Sequence, residues 1–190
     1  MTKYSEILQS RHSVFTLDDL SVLWGQSKRS DTRQSARNYA TQGKLFRIKR
    51  GIYSIRREPD IFAIANKLVV PSYITGFTVL IREGLSFQAS DTIHNASIHS
   101  RKMKLGEVSF YYNKMSDKLF YNKTGIREES GTFFASVERA ICDMLYFNVR
   151  PQIDFYDKVD WEKLLEIAKI YGNKSVFARA QKMKDGYDGR

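Results

Sequence analysis

Between Gln26 and Arg57 the chain carries Lys28, Arg29, Arg33, Arg37, Lys44, Arg47, Lys49, Arg50, Arg56 and Arg57 against the single acid Asp31. The other residues hold 21 basic and 20 acidic groups, so nearly all of the formal charge of +10 belongs to this one stretch. Charge so concentrated makes a local cationic surface, and such a surface attracts a polyanion. The residues between the cations narrow the choice. Arginine and lysine suit guanine edges, asparagine and glutamine suit adenine edges, and any of them, like serine and threonine, can serve a phosphate. The candidate set is Lys28, Arg29, Ser30, Thr32, Arg33, Gln34, Arg37, Asn38, Lys44, Arg47, Lys49 and Arg50, and its chemistry is the reading of duplex DNA.

Catalytic chemistry has weaker support. The best carboxylate cluster for a divalent metal is Asp154, Asp157, Asp160 and Glu162, but Asp160 stands where a helix needs a cap and the others precede that helix, where acids are common. His94 and His99, five apart on a predicted strand, face opposite ways and cannot share a metal. The lone cysteine, Cys142, excludes an internal disulfide or a multi-thiolate zinc site, and its apolar helix predicts an inert, buried thiol. No Ser/His/Asp set or phosphate-binding glycine loop occurs. The expectation is a protein that is not an enzyme and takes neither metal nor cofactor.

The elements that must position the basic set follow from caps and periods. Tyr4 to Ser10 predicts a first helix. Thr16 caps a second, Leu17 to Leu23, with Asp18 and Asp19 at its positive end, and Gly25 stops it. Ser30 or Asp31 is expected to cap a third helix running to about Gln42 and closed by Gly43. On it Ala36, Tyr39 and Ala40 form an inner stripe, leaving Arg33, Gln34, Arg37, Asn38 and Thr41 outward. Lys44 to Arg57 then reads as a hairpin with Lys49, Arg50 and Gly51 at its tip. Three helices followed at once by a basic-tipped hairpin is the order of a winged helix-turn-helix.

Glu58, Pro59 and Asp60 break the chain, and the composition changes behind them. A boundary there gives a DNA-binding domain at 1–58 and a second domain at 59–190. In the second, helices are expected at Ile61 to Val69, Phe77 to Glu83, Ser136 to Asn148, Asp160 to Tyr171 and Ser175 to Lys184. Thr92 to His99, Glu107 to Asn113, Lys118 to Asn122 and Gly131 to Phe134 read as strands of a small antiparallel sheet. The fold class is thus α+β, a winged helix-turn-helix followed by an antiparallel sheet packed with helices. No run reaches the roughly 18 apolar residues of a membrane span, and the N-terminal residues lack the apolar core of a signal peptide, so a cytoplasmic protein without membrane partners is expected.

Four stretches carry a family resemblance. Gly43-Lys44-Leu45-Phe46-Arg47-Ile48-Lys49-Arg50-Gly51-Ile52-Tyr53 is similar to the wing of the AbiEi family of antitoxins, from type IV toxin-antitoxin systems of abortive phage infection. Pro71-Ser72-Tyr73-Ile74-Thr75, with Gly84-Leu85 behind it, is similar to that family's proline-led turn and following helix, with Glu83 in place of a histidine. Phe110-Tyr111-Tyr112 resembles a strand of its sheet. Ala135 to Tyr146 resembles Ala-x-Pro-Glu-Lys-Ala-Leu-x-Asp-x-x-Tyr, with Val137 in place of proline and Arg139 in place of lysine.

The resemblance implies a transcriptional autorepressor that binds inverted repeats in double-stranded operator DNA. It also implies a C-terminal domain that antagonises a cognate nucleotidyltransferase toxin. For that second role the basic positions Lys102, Lys104, Lys114, Lys118 and Lys123, at expected strand ends and turns, are the candidates. The residues alone leave two alternatives open: a stand-alone regulator whose second domain binds a ligand or dimerises, and a metal-dependent nuclease.

Overall fold

Thr16 does two jobs in a computed structural model of the chain, which describes residues 2–88 and 90–188. It ends strand β1 (Val14–Thr16) and caps helix α2 (Leu17–Leu23): its hydroxyl accepts the Asp19 amide at 3.1 Å while the Asp19 carboxylate accepts the Thr16 amide at 2.7 Å. Such a reciprocal cap contributes about 1 kcal/mol. Around it stand α1 (Lys3–Gln9), α3 (Arg29–Thr41), β2 (Phe46–Lys49) and β3 (Ile52–Ser54). The strands form an antiparallel sheet in the order β1-β3-β2. Its register pairs Phe15 with Tyr53 and Arg47 with Tyr53, and a bulge falls between Arg47 and Lys49. Ile7, Phe15, Leu17, Leu20, Trp24, Ala36, Leu45 and Tyr53 make the core.

The chain divides into two units: one runs to Val70 and takes in Ser130–Thr132, the other takes Pro71–Glu129 and the residues from Phe133 on. The break at Glu58–Asp60 therefore does not separate them. Asp60 instead caps α4 (Ile61–Leu68) by accepting the Phe62 amide at 2.9 Å. This helix packs on β1 and sends Lys67 to within 3.0 Å of Asp19. Burial opposes the charge on Asp19, but the Thr16 amide and Lys67 outweigh it and hold the carboxyl below its ordinary value.

The second unit holds a six-stranded sheet in the order β6-β7-β5-β4-β9-β8, from β4 (Ser72–Ile74), β5 (Thr92–Ser97), β6 (Arg101–Leu105), β7 (Val108–Lys114), β8 (Ile126–Glu129) and β9 (Thr132–Ala135). It is mixed, not antiparallel as expected, because β5 runs parallel to β7 and β4 parallel to β9. Residues 98–100 carry the chain from β5 past the slot that β7 then fills. That step of about 10 Å across two strand spacings is within the reach of three extended residues. The segment Lys118 to Asn122, expected as a strand, lies instead across the short helix α6 (Asp117–Phe120), which buries Leu119 and Phe120.

Helices α5 (Phe77–Arg82), α7 (Val137–Tyr146), α8 (Trp161–Ile170) and α9 (Lys174–Asp188) share a core that includes Leu80, Ile141, Leu145, Leu164, Ile167 and Val176. Gly125 lies against it with φ at +73°, where a Cβ would meet Arg139 Cβ at 2.8 Å and Ile167 Cδ1 at 3.0 Å. Gly125→Ala combines a left-handed backbone with overpacking. It is expected to cost about 2 kcal/mol or more, read as a lower urea midpoint at unchanged slope.

His94 of β5 sits between Phe77 and Tyr111, ring centroids 6.0 and 5.9 Å away, and burial pushes its imidazole below the ordinary value. A folded value lowered in this way stabilises the protein above about pH 6.5 and loses that contribution as pH falls through the folded value, since the unfolded chain then binds the extra proton. Melting temperatures from pH 8 to pH 5 are expected to fall more steeply for the native chain than for His94→Gln.

Candidate nucleic-acid interface

Helix α3 begins at Arg29, one or two residues before the caps expected at Ser30 or Asp31, so three arginines fall on it four residues apart. At that spacing Arg29, Arg33 and Arg37 share one flank. The flank faces the β2–β3 hairpin. With Arg47 of β2 and Arg50 of the turn these arginines line a cleft of about 240 Å³ whose remaining walls are Leu17, Gly51 and Tyr53. Gly51 has a φ of +81°, which lets the chain reverse directly behind Arg50. Arg29 meets Asp18 at 2.7 Å, but both side chains are mostly exposed and the pair contributes little. Among the described residues Arg33, Arg37, Arg47 and Arg50 have no carboxylate partner. Four unpaired guanidinium groups around one concave surface repel each other and attract an anion with several oxygens, which planar donor forks bind in pairs.

The outward face of α3 is different in kind. Ser30, Gln34, Asn38 and Thr41 are exposed there. The Gln34 amide donates to Asn38 Oδ1 at 2.9 Å, so the two side chains hold each other and present one joint set of donors and acceptors. Ser30 donates to Asp31 at 3.0 Å. Thr32 leaves the candidate set: it is fully buried and its hydroxyl turns back on the Lys28 carbonyl at 3.4 Å. That back-bond is what lets a threonine occupy an inward helical position. Lys44 lies over the rings of Tyr4 and Tyr39, at 5.4 and 5.9 Å, and does not line the cleft. Lys28 and Lys49 are exposed at the start of α3 and the end of β2. Tyr53, Leu17 and Gly51 complete the cleft without any sequence signal, since an apolar floor carries no charge.

No family model and no curated protein matches the sequence. Among the described residues no helix is long and apolar enough to cross a membrane, and no three His, Cys, Asp or Glu side chains group as metal ligands. Asp154 accepts the Phe87 amide at 2.9 Å, Asp160 caps α8 through the Lys163 amide at 3.0 Å, and Glu162 pairs with Lys184. Asp157 lies in a single turn of 3-10 helix, Tyr156–Lys158. Cys142 is buried, its thiol donating to the Leu164 carbonyl at 3.6 Å, and burial pushes its pKa up, keeping it protonated.

In the second unit the five lysines lie on separate elements. Lys102 and Lys104 are on β6, at the edge of the sheet, where lysine discourages pairing with another strand. Lys102 lies 4.7 Å from the Tyr111 ring and Lys104 meets Glu107 at 3.4 Å. Lys114 ends β7, Lys118 is on α6, and Lys123 lies 5.7 Å from the Phe133 ring.

The strongest electrostatic feature of this unit is buried. Arg139 and Asp143, one turn apart on α7, are both fully inaccessible and meet at 3.3 Å. The guanidinium also donates to the carbonyls of Leu119 and Thr124 at 3.1 and 3.2 Å and to the Tyr73 hydroxyl oxygen at 3.2 Å. Asp143 accepts from Tyr73 at 3.0 Å, Thr75 at 2.6 Å and Tyr171. Burial pushes the Asp143 carboxyl up, while Arg139 and the three hydroxyl donors pull it back. Burial works against the charge on Arg139, yet Asp143, Tyr73 and Tyr171 together more than compensate. Every partner is satisfied, so the network braces β4, α7 and the end of α8 and offers no vacant donor to a substrate.

Proposed function

We propose that this chain is a winged-helix autorepressor and an antitoxin of the AbiEi kind, acting in the cytoplasm on operator DNA and on a nucleotidyltransferase toxin, with no enzymatic activity of its own. The five-arginine cleft between α3 and the β2–β3 hairpin carries the DNA half of that reading. In a helix-strand-helix-helix-strand-strand chain with the sheet order β1-β3-β2, the third helix enters a major groove and the hairpin tip follows the adjacent backbone. A phosphate strand then runs between Arg33 and Arg37 on one side and Arg47 and Arg50 on the other. Gln34 and Asn38 meet base edges, where carboxamides favour adenine.

The toxin half rests on the resemblance. Its stretches coincide with structural joints: the wing with β2 and β3, the Pro71 stretch with β4, and the Ala135 stretch with the Arg139–Asp143 network of α7.

Gel shifts of the full chain on a duplex from immediately upstream of its own reading frame, against random duplex, test the DNA half. Salt-sensitive binding of both, tighter on the upstream duplex, is expected. Absence of any salt-sensitive binding overturns it. Co-expression with the toxin reading frame beside it tests the other half: survival is expected, and death with intact operator binding leaves a regulator that is no antitoxin.

A further inference from the structure

A second cleft, independent of the DNA reading, lies wholly within the second unit. It has a volume of about 540 Å³ and is bounded by the segment after α7, the 3-10 turn and α9. Pro151, Tyr156, Met183 and Leu145 give it an apolar floor, and its lining includes Arg150, Arg179 and Lys182 but no acid. Arg179 is committed to the fold, because it donates to the Leu145 carbonyl at the end of α7 and to Asn148 Oδ1 at 3.2 Å. Arg150 and Lys182 are not committed. Both are exposed, and neither has an ion pair or hydrogen bond among the described residues. Val149 at the rim remains 38 % exposed.

An apolar floor under two free cations, in a cleft of the size that small ligands fill, has a definite complement. We infer that this cleft binds a small amphipathic organic anion, its acid group held by Arg150 and Lys182 and its apolar body laid on Met183, Pro151 and Tyr156. Methionine adapts to irregular apolar shapes, which suits a floor that accepts a chain or a ring. The stack of Tyr156 on Trp161, with centroids 6.1 Å apart, links the floor to the core beneath α8.

The test is calorimetric titration of the full chain with decanoate, below its micellar concentration, beside acetate and decylammonium as controls. Saturable one-to-one binding of decanoate is expected, with neither control binding comparably. Arg150→Ala with Lys182→Ala is expected to weaken it about tenfold, as loss of two exposed charge contacts allows, while Arg150→Lys with Lys182→Arg retains it. Unchanged thermal melting in both variants ties any loss to the site. Equal affinity for decylammonium would reduce the cleft to an apolar patch. Equal affinity for acetate would remove the floor from recognition. Undiminished decanoate binding by the alanine variant, or association only with anionic phosphatidylglycerol vesicles and not with free decanoate, would likewise overturn the assignment.

Discussion

Replacing Arg33, Arg37, Arg47 and Arg50 together by alanine is expected to lower affinity for every duplex alike, by about 10² to 10³ at moderate salt. Each lost phosphate contact also takes about 0.9 from the slope of log affinity against log salt, so the quadruple variant should titrate ~3 to 4 units more shallowly. The sign follows from counterion release: fewer neutralised phosphates release fewer cations, and added salt then has less to oppose. Arg29 is left in place because Asp18 already holds it and it begins α3. Lysine in the same four positions should keep most of the slope while losing the paired donors that fix the strand in register. Gln34→Ala with Asn38→Ala is the contrasting case, expected to spare random DNA and cost about 1 to 3 kcal/mol on the operator. If the arginine variant instead loses affinity only for the operator, the cleft reads bases and phosphates lie elsewhere.

Why the cleft was half legible is a matter of which residues announce themselves. Arginine and lysine crowd the segment from Lys28 to Arg50, and composition alone marks it. The four-residue spacing of Arg29, Arg33 and Arg37 is also in the sequence, but its meaning depends on where α3 starts. Serine and aspartate are the better caps by type and predict a cap at Ser30 or Asp31, whereas Lys28 occupies the cap position with no side-chain bond. Arg29 thereby joins the helix and the arginine flank. Thr32 departs from expectation for the opposite reason: its polarity predicts a surface residue, and the back-bond to Lys28 makes its burial tolerable. Strand β1 has three residues, too few to show a period, although it ties the hairpin to the helices through β3.

In the second unit the helices were the readable part, because Ser136 and Asp160 are good caps and the stripes behind them are long. The sheet was not. Its edge strands β6 and β8 read Arg-Lys-Met-Lys-Leu and Ile-Arg-Glu-Glu, and charge on an edge strand hides the alternation that would reveal it. Parallel pairing of β5 with β7 depends on where a connection crosses, which no local pattern records.

Arg139→Met is expected to be the most damaging single change in the protein, with a loss of about 3 to 5 kcal/mol. It leaves the Thr124 carbonyl without its donor, takes one donor from the Leu119 carbonyl, which keeps the Asn122 amide, and leaves the Asp143 carboxylate buried with no counter-charge. The pH dependence separates this cause from simple loss of packing. Without Arg139 the carboxyl loses the charge that pulls its value down, so burial drives it further above the unfolded value of about 3.9. A folded value raised in this way favours the folded state fully below the unfolded value and progressively less as pH rises through the folded one. The deficit of Arg139→Met relative to the native chain should therefore be largest near pH 7 and shrink toward pH 4. Urea midpoints across that range measure it, and a deficit independent of pH would assign the loss to the cavity and the orphaned Thr124 carbonyl. Arg139→Lys, which installs the residue found in the resembling motif, should be milder, at about 1 to 3 kcal/mol. An ammonium keeps the charge for Asp143 yet has three donors and no planar fork to span Tyr73, Leu119 and Thr124 at once.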